Sequence, residues 1–99
     1  MASVLVVRDE ARRELLEARD YYDEQRRGYG ELFVEAVERE FELLLQFEKI
    51  GKQVGEGIRR HTVSAWPYGI FYRVSGEELI IIAVSHHRRR PDYWRSRLR

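Results

Sequence analysis

The hydrophobic positions change rhythm three times along the chain. A short apolar run, "VLVV", ends at Arg8 and predicts a first strand. From Asp9 to Arg27 the apolar residues Ala11, Leu15, Ala18 and Tyr22 recur at spacings of four, three and four, the signature of one helix face, with Asp9 as the expected N-cap. Gly28 and Gly30 in "RRGYGE" interrupt that rhythm and predict a tight helical hairpin, with Arg26 and Arg27 in the last turn of the first helix. A second helix runs to about Phe47 or Glu48. It buries Phe33, Val37, Phe41, Leu44 and Leu45 and turns Glu31, Glu35, Glu38 and Glu42 outward.

"GKQVGEG", residues 51 to 57, carries three glycines and reads as a linker. Three β-rich stretches follow, from about Ile58 to Val63, Tyr68 to Val74 and Leu79 to Ser85, the last two joined by a hairpin turn at "SGEE". "YGIFYRV" is apolar at alternate positions, which turns Tyr72 and Val74 inward, whereas "LIIIAV" is apolar on both faces and belongs in the interior of a sheet. The expected fold is α+β in the order β-α-α-β-β-β: a largely antiparallel four-stranded sheet, an N-terminal helical hairpin on one face, and a short C-terminal tail or helical turn from Pro91. One domain over residues 1–99 accommodates all of it.

Charge divides along the chain. Residues 9 to 48 hold 13 acidic and 6 basic side chains, a balance of −7, while residues 57 to 99 hold 9 arginines against 3 acids, or +6, within a total of +1. So near-neutrality conceals an acidic half and an arginine-rich half. No cysteine is present, which excludes a disulfide framework and a thiol nucleophile and accords with a cytoplasmic location. The N-terminal run is too short for a membrane span and has no basic lead, so no signal peptide and no membrane partner are expected.

Candidate chemistry concentrates after the last strand, in "HHRRRPDYW". Adjacent strand residues point to opposite faces, so His86 and His87 make a poor chelate, and no metal or cofactor is expected. The serines lack a nucleophile elbow. "GKQVGEG" lacks the Ser or Thr that a P-loop places on magnesium. His61, His86, His87 and Tyr93 with the arginines supply residue types for acid–base cleavage of RNA, without fixing a geometry. Arg59, Arg60, Arg73, Arg88, Arg89 and Arg90 are the residues a sheet in this order gathers on one face or rim. They suit bidentate recognition of phosphate or carboxylate, or else ion pairs with the acidic helices. Tyr93 and Trp94 in the tail read either as exposed anchors or, with Leu98 four residues beyond Trp94, as pins holding the tail to the domain.

The second half also resembles the RelE/ParE superfamily of bacterial toxins, also described as plasmid stabilisation proteins. The resemblance rests on Arg60, on Trp66, Pro67 and Tyr68, on Tyr72, Arg73 and Val74, and on the C-terminal string of His86, Arg89, Pro91, Tyr93, Trp94 and Arg97. It implies the toxin of a type II toxin–antitoxin system, silenced by a cognate antitoxin. The Pro-Tyr and Pro-x-Tyr-Trp strings are more ParE-like, and that branch implies a binding protein that poisons DNA gyrase. The RelE-like alternative is a ribosome-dependent mRNA endoribonuclease. Only two lysines, Lys49 and Lys52, and 13 helical acids count against it. A non-toxic antitoxin-binding member is a further alternative, and a homodimer in the antitoxin's absence is left open. Arg60, Arg73, His86, Arg88, Arg89, Arg90, Tyr93, Trp94 and Arg97 are the expected target- or antitoxin-binding residues, and no catalytic residue is assigned.

Overall fold

A computed structural model describes residues 2–98. Strand β1 (Val4–Val7) leads into helix α1 (Asp9–Gln25) and helix α2 (Tyr29–Gln46); strands β2 (Lys52–Gly55), β3 (Ile58–Thr62), β4 (Tyr68–Ser75) and β5 (Glu78–His86) follow, and a 3-10 helix closes the chain at Tyr93–Leu98. The sheet has five strands in the order β1-β5-β4-β3-β2, with β1 parallel to β5 and the other pairs antiparallel.

The additional strand, β2, lies in the segment expected to be a linker. Glu56 and Gly57 both take positive φ, 54° and 75°, so they form the two-residue turn whose twist matches a hairpin, and Gly51 to Gly57 becomes strand plus turn. Two smaller expectations also shift. Arg8 takes the N-cap position and Asp9 opens α1, and α1 ends at Gln25, one residue before Arg26.

The hairpin closes tightly for a local reason. Asp23 Oδ1 accepts a 2.7 Å bond from the Gly30 amide, holding the start of α2 against α1. A Cβ at Gly30 would come within 2.4 Å of the Arg19 carbonyl oxygen, so only glycine permits that approach.

Both faces of the sheet are covered. Phe33, Val37, Phe41 and Leu44 of α2 pack with Ile70, Tyr72, Leu79, Ile81 and Val84 on one face. On the other, Ile58, Phe71, Ile80, Ile82 and Ala83 pack with Trp94 of the 3-10 helix. This second layer explains why "LIIIAV" is apolar on both sides. A register shift at Phe71/Tyr72 skips Ile82 in the pairing and lets Ile82 and Ala83 enter the same cluster. Tyr72 is fully buried as expected, and its hydroxyl donates to Glu48 O at 2.8 Å and accepts from Gly51 N at 3.0 Å. Val74 is 37% exposed instead of inward, because β3 begins at Ile58 and leaves the far end of β4 uncovered. No described helix is long and apolar enough to cross a membrane.

Candidate functional site

Register builds the site. Arg60 pairs with Phe71 and Phe71 with Ala83, and Cα partners share a face, so a row of side chains crosses the sheet on the side away from the helical hairpin. Between that row and the segment from His86 to Asp92 lies a groove of about 450 Å³, floored by Val54 and Phe71 and bordered by Arg60, Arg89, Arg90 and Arg95.

Three of these arginines rest on rings. The Arg60 guanidinium stands 5.7 Å from the Phe71 centroid, Arg89 4.3 Å from Tyr93, and Arg95 4.9 Å from Trp94. Attraction to the ring face restrains the guanidinium and leaves N–H groups for a partner. Gly69 supplies the space for Arg60, since a Cβ there would meet the guanidinium at 2.7 Å. Arg60 makes one weak bond to Thr62 Oγ1 at 3.3 Å, and Arg95 is paired with Glu56 at 2.7 Å in an exposed contact. Among the described residues, Arg60, Arg88, Arg89 and Arg90 have no ion pair.

The rest of the expected set is placed elsewhere. Trp94 is 1% exposed, and its indole N–H donates to Pro91 O at 2.7 Å; an anchor displayed in the tail is therefore corrected to a core residue, and the pinning reading describes it. Arg97 is turned inward to Glu14 of α1, with Nη1 and Nη2 at 2.8 and 3.0 Å from the two carboxylate oxygens and side-chain exposures of 14% and 12%. Burial works against charge on Arg97, but Glu14 outweighs it and raises its pKa. The Tyr93 hydroxyl donates to the same carboxylate at 2.8 Å. Burial pushes its pKa up to about 12, the Ser85 hydroxyl acting in the opposite sense and Glu14 raising it further. Arg73 lines a separate cavity of about 220 Å³ with Lys49 and Arg59, its Nε buried without a partner. Arg88 stands outside the groove, its amide bonded to His86 Nδ1 at 3.0 Å.

Glu14 is the residue that sequence reasoning missed. It was one acid among 13, yet its spacing from Ala11 and Ala18 puts it on the edge of the buried stripe of α1, and that was the available signal. The residue types weighed for RNA cleavage are only partly brought together, since His86 and His87 line the groove while His61 and Tyr93 do not. His61 faces the hairpin with Nε2 2.7 Å from Glu40, the His86 ring lies edge-on to Tyr68, and the Tyr93 hydroxyl is held by Glu14. Trp66, Tyr68 and Tyr72 likewise pack toward the hairpin, away from the groove. Among the described residues no group of three or more His, Cys, Asp or Glu is placed to hold a metal ion.

Comparison with known proteins gives a concordant picture. A family model described as the ParE toxin of the type II toxin–antitoxin system parDE matches residues 5–91. A solved chain described as the chromosomal ParDE TA system from P. aeruginosa superposes with a TM-score of 0.64 over 84% of this chain and 94% of that one, at 21% identity, a likeness of fold. No curated protein matches the chain. With the match spanning nearly all of β1 to β5, the chain belongs to the ParE toxin family of type II toxin–antitoxin systems.

Proposed function

We propose that this chain arrests its host by binding DNA gyrase through the arginine-bordered groove, and that a cognate antitoxin holds it silent. The observation that carries the reading is the display of Arg60 and Arg89, over the rings of Phe71 and Tyr93, beside Arg90, which has no ion pair among the described residues. Such guanidiniums dock a charged macromolecular surface with little further ordering, because the rings already restrict them. The fixed tail supports the same reading: Trp94 and the Glu14–Arg97 pair hold one wall of the groove in place. The ParDE title of the solved relative supports a protein antitoxin as partner. The chain acts as one domain over residues 1–99, in the cytoplasm, where gyrase is found.

Cleavage of mRNA is less well supported, since His61 is held by Glu40 and the Tyr93 hydroxyl by Glu14, apart from the groove that His86 and His87 line. A supercoiling assay with purified gyrase and relaxed plasmid tests the leading reading. Loss of supercoiling at micromolar toxin is expected, and unimpaired gyrase at that concentration overturns it. Primer extension on programmed ribosomes is expected to show uncut message.

A further inference from the structure

The groove has a donor–acceptor balance that says more about its ligand than charge alone. Its border offers the N–H edges of Arg60, Arg89 and Arg90, with part of Arg95, as donors. Its acceptors are few. Asp92 contributes one carboxylate, Ser85 a hydroxyl that gives its proton to His86 O and keeps its lone pairs, and His87 one imidazole. The Nδ1 of His86 is taken by the Arg88 amide, and Pro91 O receives the Trp94 indole. Beneath them lie Val54 and Phe71, and the backbone groups of β3, β4 and β5 are largely spent on the sheet.

An extended acidic peptide brings a backbone N–H at nearly every residue, and each needs an acceptor when it is covered. Against four guanidiniums this lining sets one carboxylate, one hydroxyl and one imidazole, fewer than an extended segment needs. A phosphodiester strand brings chiefly acceptors along its backbone, two anionic oxygens per phosphate, and guanidinium forks match them in bidentate fashion. The position of the groove agrees. It opens on the sheet face opposite the helices, so the acidic helical segment packs behind the sheet while Arg60, Arg89, Arg90 and Arg95 border the groove; Arg59 and Arg73 line a separate cavity, and Arg97 is spent on Glu14.

The geometry points to a phosphodiester-binding site: the groove between the β3–β4–β5 face and the His86–Asp92 segment takes the backbone of a nucleic-acid strand, independently of any contact with gyrase protein. Arg60, Arg89 and Arg90 each take a phosphate, and the apolar floor lies under the sugars. The inference goes beyond the gyrase reading and needs no gyrase for its test.

Fluorescence anisotropy of the full chain with labelled single-stranded DNA, duplex DNA and RNA of one sequence measures it, with labelled polyglutamate as the competing ligand. Three phosphates engaged predict a log–log salt slope of about −2.7 on duplex and about −2.1 on single strands. The duplex slope amounts to roughly 40-fold weaker binding between about 50 and about 200 mM salt. Arg89→Ala with Arg90→Ala, both on exposed positions, is expected to lower affinity at least about tenfold and bring the duplex slope to about −1, with unchanged melting by circular dichroism. Arg19→Ala, on α1 behind the sheet, is expected to change neither. Preference among the three strands identifies whether DNA or RNA is the source of the backbone. Tighter binding of polyglutamate, no binding of any strand at the lower salt, or an unchanged slope in the double variant overturns the assignment. A toxin that binds DNA yet leaves gyrase active, or the reverse, separates this inference from the gyrase reading.

Discussion

Glu14 of α1 and Arg97 of the 3-10 helix meet across the side of β5 that β1 leaves unpaired. β1 accompanies β5 only as far as Ile81, and beyond it Glu14 Oε1 accepts from Val84 N at 3.0 Å while Arg97 Nη1 donates to Ile82 O at 3.1 Å. One ion pair thus closes a sheet edge, fixes the tail, and anchors Tyr93 under Arg89. Removing Glu14 strands a guanidinium, a phenol and a backbone amide together. Glu14→Ala is expected to cost about 3 kcal/mol of unfolding free energy in urea, and Glu14→Ala with Arg97→Met to recover part of it. A loss below about 0.5 kcal/mol would show the pair to be an ordinary surface contact.

Trp94 and Arg89, neighbours in the tail motif, separate fold from function. Trp94→Ala empties the centre of the tail-side cluster and is expected to cost about 3 to 5 kcal/mol, lowering the melting temperature before any binding is tested. Arg89→Ala, at an exposed position, is expected to stay within about 0.5 kcal/mol and to weaken target binding. Equal melting of the two variants would contradict the placement of Trp94.

Most of the fold was legible because two periodicities announced it. The 3.6-residue stripe through Ala11, Leu15, Ala18 and Tyr22 gave α1, and double-sided apolarity gave β5 its interior place. β2 was hidden because Gly55 and Gly57 of "GKQVGEG" serve a bulge and a two-residue turn, which composition alone cannot separate from a linker. The groove was half legible. Arg60, Arg89 and Arg90 gather as the strand order implies, while Tyr93, Trp94 and Arg97 are drawn inward by contacts with residues up to 83 positions away. Such long-range partners leave no mark on local spacing.

Gly69 and Arg60 give a test that leaves the core alone. An alanine at 69 collides with the movable end of Arg60, so Gly69→Ala is expected to hold stability within about 1 kcal/mol while turning Arg60 off Phe71. Its target binding should fall as far as that of Arg60→Ala. Native binding in Gly69→Ala would show that the position of Arg60 is immaterial.

Alkaline pH reports on the buried phenols. Tyr93 and Tyr68 ionise at about 12 in the fold, both raised first by burial, against 10.0 for the ordinary side chain. The folded state therefore holds these protons more tightly than the unfolded chain. Their contribution to stability is full below pH 10 and is lost as pH rises toward 12. The urea midpoint is expected to fall across that window, with tyrosinate absorbance at these two rings appearing last. Ionisation of all six tyrosines near pH 10 with the fold intact would contradict their burial.

The most direct test of the whole account is growth of bacteria after induced expression without antitoxin, comparing the native chain with Arg60→Ala/Arg89→Ala/Arg90→Ala at matched soluble levels. The account predicts arrest by the native chain and unimpeded growth with the triple variant, whose melting stays native. Arrest by both chains to the same degree would contradict it.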